Sequence, residues 1–432
     1  MRTSVSRRKL LLAATAMPAG MAAACRLGAA PGAASPSVAQ KPQGLVRYMV
    51  WGNAWSNAID QKVIDAFMQR RPEIKVELIN EGGNHLEKVI SMIAGGNPPE
   101  TVMIDGYDVR GMASQGIMMD LTARINKDIK KDEYFQPWFD EFIYRGRYYY
   151  FPNVRGGNAA YYYNKSLFEQ YGLPLPREGW TFEELLQYAR AIARPEQGVW
   201  GTMRQTGLWW PFVWAFGGEL IDLNQNVCLL DRPEAIEAIQ WIADLAHVHR
   251  VAPLSLPSGV STQQLFINGR LGMYHNWFTD IPQYRDQIKD FEWDVVIMPI
   301  GKSGTQTGLY KGNGMMMPEN NKNPDAAWEW LKFQGSYEGM LIYALEGRFI
   351  PFNKRAANDP RFLNSGKPPA NMRAFIDQRV RTLPLIPEWR QIEREGWNES
   401  LKKVWDGSAS AKEVLPQAAR RVNDILARRE KG

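Results

Sequence analysis

This chain of 432 residues is short of cysteine, having only Cys25 and Cys228. Proteins of secreted compartments often depend on disulfides, but a chain of this length can bury enough apolar surface to fold without them. If Cys25 carries a lipid, no disulfide can form within the chain. Cys228 lies in an apolar run, residues 227–230, which predicts a buried thiol of the core.

Histidine is scarce as well, with four in the chain, and this leaves little material for a catalytic metal. His247 and His249 fall on a predicted helix, where residues two apart point about 200° apart, the wrong geometry for chelation. The chain has no Gly-x-Ser-x-Gly elbow and no phosphate-binding loop. We expect neither a metal nor a cofactor. Carboxylates are plentiful but no motif marks a catalytic pair, so a secreted glycoside hydrolase stays open as the alternative hypothesis.

Most of the net charge of +6 comes from the first 24 residues of the chain. Residues 1–24 hold four basic and no acidic residues, so the remaining chain has 48 basic against 46 acidic residues. No Lys/Arg cluster stands out there, and we therefore expect no nucleic-acid partner. Apolar residues make up 45% of the chain and charged residues 23%, which is typical of a globular protein.

The N-terminus has an apolar run, residues 10–24, that is too short and too weak to span a bilayer as a permanent helix. Residues 6–12 (SRRKLLL) resemble a twin-arginine export signal, which predicts a signal peptide over residues 1–24. Residues 22–25 (AAAC) are similar to a bacterial lipobox, so we expect a lipid on Cys25 and a flexible tether over residues 25–44. An ordinary cleavable signal is the alternative. Both hypotheses place the protein outside the cytoplasm.

From residue 45 onward the apolar pattern alternates between strand and helix. It predicts strands at residues 45–51, 74–78 and 101–104, with helices at 59–68 and 86–93 between them. This β-α-β-α-β order is typical of a parallel, doubly wound sheet. Farther on, Thr181 and Glu184 have the spacing of a capping box, and Asp231 before Pro233 predicts a capped helix that starts with proline.

Several segments resemble, in the same order, those of the extracellular solute-binding proteins of sugar-type ABC importers. They are residues 93–99 (IAGGNPP), 150–152 (YFP), 162–168 (YYNKSLF), 179–181 (GWT), 266–273 (FINGRLGM), 310–314 (YKGNG), 324–328 (PDAAW) and 347–351 (GRFIP). The similarity runs from about residue 45 to the C-terminus. Glu100 departs from the family, where Asp often stands, and Gly179-Trp180-Thr181 reverses the family's Thr-Trp pair.

The resemblance implies an α/β, class II periplasmic-binding-protein-like fold with two lobes, each a doubly wound sheet flanked by helices, and a ligand cleft between the lobes. We expect the first lobe over residues 45–158 and 308–350, and the second over 159–307 and 351–432. The resemblance further implies a monomer without catalytic activity. It would capture a carbohydrate, either an oligosaccharide or a sugar derivative, and deliver it to the membrane permease of an ABC transporter.

Tryptophan usage supports a carbohydrate ligand, since many of the 16 tryptophans fall in predicted loops. A sugar ring has an apolar C–H face, which aromatic rings can cover, and a rim of hydroxyls, which Asn and Asp can satisfy. From these types and their places in the family segments we predict twelve ligand-binding residues: Trp51, Asn53, Trp55, Asp105, Tyr107, Arg155, Trp209, Trp210, Trp277, Tyr310, Asn313 and Arg348.

Alternatives stay open at several of these positions. Trp209 and Trp210 are as typical of a core as of a ligand site, and Asn53 and Asp105 are as typical of a helix cap or turn.

The charge of the ligand also stays open at this point. Arg155, near the first crossing between the lobes, and Arg348, in the late Gly-Arg segment, could together face an anionic sugar. Arginine also donates to neutral hydroxyls, so the two residues do not decide between the classes of ligand.

Overall fold

The described part of the protein begins directly before the first strand. The computed structural model describes residues 42–80, 85–135, 143–151, 158–304, 306–309, 312–377, 379–384 and 386–429, all within one compact unit, Pro42–Gly432. The predicted signal peptide, the predicted lipid site at Cys25, most of the predicted tether, Arg155 and Tyr310 lie outside the described residues. Over the described residues, no helix combines the length and the apolar character that crossing a membrane requires.

Seven strands form two sheets. They are β1 (Gly44–Val50), β2 (Ile74–Asn80), β3 (Thr101–Asp105), β4 (Ala159–Asn164), β5 (Met273–Trp277), β6 (Trp293–Val296) and β7 (Asn313–Met316). Two-residue strands add three small ladders: Ile143–Tyr144 with Arg147–Tyr148, Ile221–Asp222 with Val227–Cys228, and Gly308–Leu309 with Val380–Arg381.

The first sheet has the predicted β-α-β-α-β order. β1 pairs in parallel with β2 and β3, and the crossovers are the helices α1 (Ala54–Arg70) and α2 (His85–Ala94). β7, from much later in the chain, adds to β3 in the antiparallel direction. Parallel pairing brings the carboxyl ends of β1 and β3 to one edge of the sheet, which is where open α/β sheets bind ligands.

The second sheet differs from the doubly wound arrangement predicted for both lobes. β4 is its central strand, and both β5 and β6 pair with β4 in the antiparallel direction. β5 and β6 therefore run parallel to each other on either side of β4, joined through the helix Ile281–Gln287. The α/β class is confirmed, but among the described strands this sheet pairs only in the antiparallel direction, unlike a doubly wound sheet.

Every residue of β4 is buried, because helices and loops cover both faces of the second sheet. Tyr162 points into the first of two hydrophobic cores, and its neighbours Tyr161 and Tyr163 point into the second, as the two-residue period of a strand requires. The first core continues to β1–β3, where the ring of Tyr48 packs edge-to-face on Trp330 at 5.3 Å. The second core holds Cys228, and burial raises the pKa of its thiol to about 12, so the predicted buried thiol is confirmed.

The structure has one of the two helix caps that the sequence predicts. Thr181 and Glu184 form the predicted capping box of the helix Phe182–Ile192. The helix Pro233–His247 starts with proline as predicted, but Asp231 does not cap it. Its N-cap is Arg232, whose side chain makes no capping hydrogen bond.

The remaining helices pack around the two sheets. The α-helices are Val109–Ser114, Thr122–Asp128, Lys165–Gln170, Trp210–Ala215, Thr262–Ile267, Pro324–Gly335, Tyr337–Leu345, Lys354–Ala357, Pro360–Leu363, Trp389–Gln391, Asn398–Trp405 and Ala411–Ala427. The 3₁₀ turns are Gly106–Asp108, Lys131–Glu133, Pro195–Gln197, Phe278–Asp280 and Met372–Phe375, and Ile392–Trp397 is a π-helix.

Candidate functional site

A cavity of about 300 Å³ lies where the carboxyl ends of β1 and β3 meet the segment that follows β5. The first sheet and the second sheet therefore each supply one side of it. Its lining is rich in tryptophan and in polar side chains: Trp51, Gly52, Asn53, Trp55, Ser56, Ile59, Met103, Asp105, Trp277, Thr279, Asp280, Pro282, Gln283, Asn313, Arg348 and Phe349.

The start of α1 holds the β1 side of the cavity. Asn53 is the N-cap of this helix: its Oδ1 accepts from the backbone N–H of Ser56 at 3.0 Å, and Ser56 Oγ accepts from the backbone N–H of Asn53 at 2.8 Å. This capping box fixes the short turn that carries Trp51 and Trp55. Asn53 thus has the capping role that the sequence left open, and it also lines the cavity.

Trp51 is held in place from two further sides. Its ring packs edge-to-face on the imidazole of His85, with centroids 4.8 Å apart, and His85 Nε2 lies 2.8 Å from the carbonyl oxygen of Met103. The backbone carbonyl of Trp51 accepts from Arg348 Nη2 at 3.3 Å. The contact with His85 restrains the ring and the bond from Arg348 restrains the backbone of Trp51, and such restraint before binding lowers the entropic cost of binding.

Arg348 is anchored by a buried carboxylate beneath the cavity. Its Nη2 lies 3.5 Å from Asp60 Oδ2, and its guanidinium carbon lies 4.4 Å from the ring centroid of Phe349. Asp60 is fully buried, and it also accepts from the hydroxyl of Tyr48 at 3.4 Å. Burial raises the pKa of Asp60 despite the opposing effect of the Arg348 charge.

Asp105 and Asn313 lie opposite each other on β3 and β7. With the amide oriented to satisfy its neighbours, Asn313 Nδ2 donates to Asp105 Oδ1 at 2.8 Å. Arg390 Nη2 lies 3.6 Å from Asp105 Oδ2, and its guanidinium carbon lies 4.1 Å from the ring centroid of Tyr107. Burial, followed by the charge of Asp105, raises the pKa of Tyr107, which keeps this hydroxyl protonated beside the carboxylate.

The opposite side of the cavity comes from Trp277 and the 3₁₀ turn after it. The backbone carbonyl of Trp277 accepts from the hydroxyl of Tyr162 at 2.8 Å, which ties the end of β5 to the central strand. Asp280 accepts from the amide of Asn276 and from the hydroxyl of Tyr284, the latter at 3.3 Å. Burial raises the pKa of Asp280 above its usual value.

A second cavity of about 490 Å³ adjoins the first. It shares Trp51, Gly52 and Asp105 with the first cavity, and Arg390 also lines it. The wall formed by Trp51 and Asp105 is therefore reached from both cavities.

Seven of the predicted ligand-binding residues line the first cavity: Trp51, Asn53, Trp55, Asp105, Trp277, Asn313 and Arg348. Tyr107 lies close to Asp105 but is not among the residues that line the first cavity. Trp209 is only 3% exposed and packs in the second core, with its ring centroid 5.6 Å from that of Trp397, and Trp210 packs against the same core. Their placement supports the alternative of core residues.

Asp280 and Gln283 are cavity residues that the sequence analysis missed. Asp280 follows the end of β5 closely, as Asp105 ends β3, so its place after a strand was a usable signal. Within the described residues, no group of three His, Cys, Asp or Glu side chains is placed to hold a metal ion.

Comparison with protein families gives one match that covers more than half of the chain. Residues 52–341 match the family model described as bacterial extracellular solute-binding protein. The matched range includes residues from both sides of the cavity, from Gly52 to Asn313.

Individual relatives have low sequence identity to this chain but align with two thirds of it or more. An uncharacterized ABC transporter extracellular-binding protein of Pyrococcus horikoshii is 23% identical over 370 residues, covering 81% of this chain and 83% of that protein. An arabinooligosaccharide-binding protein of Halalkalibacterium halodurans is 20% identical over 305 residues and covers 67% of each. Among solved structures, an ABC substrate-binding protein of Listeria monocytogenes in complex with cycloalternan has a TM-score of 0.81 at 22% identity, covering 89% of this chain and 99% of that one. This likeness confirms the two-lobed fold.

Proposed function

Because this chain belongs to the bacterial extracellular solute-binding protein family, we propose that it captures a carbohydrate and delivers it to the permease of an ABC transporter. One observation carries the proposal: three tryptophans and several polar side chains line one cavity between two sheets. Tryptophan rings offer a large, rigid surface for the C–H face of a sugar. Asp105, Asp280 and Asn313 offer acceptors and donors for its hydroxyls.

The proposed ligand is an oligosaccharide or a sugar derivative. The adjoining cavity supports more than one sugar unit, since Trp51 and Asp105 border both cavities. The names of two relatives point the same way, one being an arabinooligosaccharide-binding protein and the other a protein in complex with cycloalternan.

The proposed mechanism is hinge closure without covalent chemistry. A ligand that first contacts one lobe favours closure only through additional contacts with the other lobe. Here the cavity joins residues of both predicted lobes, with Trp51 and Asp105 in residues 45–158 and Trp277 and Asp280 in residues 159–307. The closed, monomeric complex would then dock on the permease.

The proposed location is the outer face of the cell membrane. Residues 1–24 would direct export by the twin-arginine route, and a lipid on Cys25 would keep the protein near its permease. Cys25→Ser should release the mature protein into the soluble extracytoplasmic fraction. Arg7→Lys together with Arg8→Lys should leave precursor inside the cell. Soluble mature wild-type protein would instead favour an ordinary cleavable signal.

The binding proposal is tested with the full mature protein and a panel of neutral, amino and acidic saccharides. Tryptophan fluorescence should shift saturably with at least one saccharide, and the sugar should be recovered intact. Micromolar affinity corresponds to about −8 kcal/mol, which a few stacked rings and several hydrogen bonds can supply. Accumulation of cleaved product would favour a hydrolase, and a panel without any saturable shift would contradict carbohydrate capture.

A further inference from the structure

Arg348 is the only cationic side chain among the described residues that line the first cavity. It is 9% exposed and directly follows the helix Tyr337–Leu345, where its backbone N–H donates to the carbonyl of Tyr343 at 2.9 Å. The contacts of its guanidinium with Asp60 and with the carbonyl of Trp51 both use Nη2. Its Nε is buried and has no hydrogen-bond partner among the described residues, so the guanidinium has donor capacity left for a bound molecule.

Asp60 holds this arginine from beneath the cavity. It lies on α1, is fully buried and is not among the residues that line the two cavities. Its Oδ2 lies 3.5 Å from Arg348 Nη2, and its Oδ1 accepts from the hydroxyl of Tyr48 at 3.4 Å. The hydroxyl of Tyr343 donates to the same carboxylate. Side chains from β1, α1 and the helix Tyr337–Leu345 thus meet at one carboxylate, which fixes its position from within the first core.

The charge of Arg348 is therefore compensated inside the protein. With Asp60 in place, the guanidinium brings little net positive charge to the cavity and is suited to donate to neutral hydroxyls. If the carboxylate were neutral, the positive charge would stay uncompensated in surroundings where water screens it poorly. A guanidinium in that state would form charge-assisted hydrogen bonds with a carboxylate of the ligand.

We propose that Asp60 makes the cavity prefer neutral saccharides to acidic ones, although it does not line the cavity itself. The inference rests on the proposed carbohydrate-binding function and adds the charge class of the ligand. Asp60 is a positioning residue that acts through Arg348: it holds the guanidinium at the cavity and cancels its charge.

Matched ligands test this preference by calorimetry on the full mature protein at neutral pH. The probes are the neutral saccharide that binds tightest in the panel and its uronic acid. The wild type should bind the neutral saccharide at least tenfold tighter than the acid. Asp60→Asn keeps the shape of the side chain but not its charge, and it should bind the acid at least as tightly as the neutral saccharide. Added salt should weaken the binding of the acid to this variant more than that of the neutral saccharide.

Three further variants assign the effect to the charge pair. Asp60→Glu keeps the negative charge and should keep the preference for the neutral saccharide. Asp60→Asn combined with Arg348→Gln removes both charges and should return the preference to that of the wild type. The control is Asp65→Asn, an exposed carboxylate on the same helix, which should leave the ratio of the two affinities unchanged.

The stability of Asp60→Asn is handled by a second measurement, because an unpaired buried arginine destabilises the fold. Thermal unfolding with each sugar gives the same order of affinity, since the ligand that binds tighter stabilises the folded state more at equal concentration. The uronic acid should raise the melting temperature of Asp60→Asn at least as much as the neutral saccharide does. If this variant does not fold at all, the double variant remains, and its loss of the neutral preference would contradict the inference.

The outcomes separate the inference from the function on which it rests. A wild type that binds the uronic acid as tightly as the neutral saccharide would overturn the inference and leave carbohydrate capture intact. If Asp60→Asn weakens both ligands by the same factor, Asp60 has only a structural role. If no saccharide of any charge binds, the proposed function fails, and the inference fails with it.

Discussion

Two groups of tryptophans, similar in sequence, have different surroundings in the fold. Trp51, Trp55 and Trp277 line the cavity, and each lies at the carboxyl end of a strand or within five residues after it. Trp209 and Trp210 lie far from any of the longer strands in sequence and pack in or against the second core. The position of a tryptophan at the end of a strand therefore indicates a place in the cavity better than its clustering with other aromatic residues does.

The physical reason is whether the faces of the tryptophan ring are already covered by other side chains. A strand that ends at the edge of a sheet exposes the next side chains to the space above that edge. Trp209, by contrast, is in edge-to-face contact with Trp397 and in tilted contact with Trp210. Rings that pack on one another in this way have little free surface left for a sugar.

Trp209→Ala should have the largest effect, and that effect should be on stability. Removing a large ring that is 3% exposed leaves a cavity in the second core, at a cost of about 3–5 kcal/mol in the free energy of unfolding. Chemical denaturation measures this cost, with Trp209→Phe as a milder companion. The folded fraction should bind saccharide within threefold of wild type. Lost affinity with unchanged unfolding would move Trp209 into the ligand site.

Trp277→Ala should show the opposite pattern. The loss of a ring that lines the cavity should weaken saccharide binding about 100-fold, which corresponds to about 2.7 kcal/mol. Its control is Trp405→Ala, a partly buried tryptophan that packs against the second core away from the cavity. Titration calorimetry on both variants makes the comparison. Equal affinity losses in the two variants would erase the distinction between the groups.

The buried His275 should make the free energy of unfolding depend on pH. It is a residue of β5, is 1% exposed and has its ring centroid 5.3 Å from that of Tyr161. Burial lowers its pKa to about 3, against about 6.5 in the unfolded chain. Because the unfolded chain binds this proton more readily, stability is complete above pH 6.5 and falls as the pH decreases towards 3. Between pH 7 and 5, the wild type should lose about 2 kcal/mol more than His275→Leu, measured by denaturation at each pH. Parallel pH curves would show that His275 is protonated equally in both states.

The sequence predicted the three parallel strands of the first sheet and seven of the residues that line the first cavity, because both depend on local patterns. Strand and helix periods alternate within residues 45–105, and strand ends place Trp51 and Asp105 without knowledge of the rest of the fold. The pairing of β4 with β5 could not be predicted in this way. More than a hundred residues separate these strands, and their direction depends on how the intervening helices pack.

The same limit explains the errors at individual residues. Asp280 follows the end of β5 by three residues, which was a usable signal, but the 3₁₀ turn that presents it to the cavity depends on the pairing of β5 with β4. Asp231 looked like a helix cap because it precedes a proline by two, yet the helix begins one residue later than that cap would require. The charge of the cavity could not be predicted from the sequence either, since Arg348 pairs with Asp60, which lies nearly three hundred residues away in the chain.

Asn53→Ser should have the smallest effect, and it separates two roles of one residue. Serine is as good an N-cap as asparagine, so α1 should keep its cap and the free energy of unfolding should stay within about 0.5 kcal/mol of wild type. The amide that lines the cavity is lost, and saccharide affinity should fall about threefold, the value of one neutral hydrogen bond. Asn53→Ala, which loses the cap as well, should cost about 1 kcal/mol of stability in addition. If Asn53→Ser binds like wild type, Asn53 is a cap alone, and the β1 side of the cavity recognises its ligand through tryptophan rings rather than through this amide.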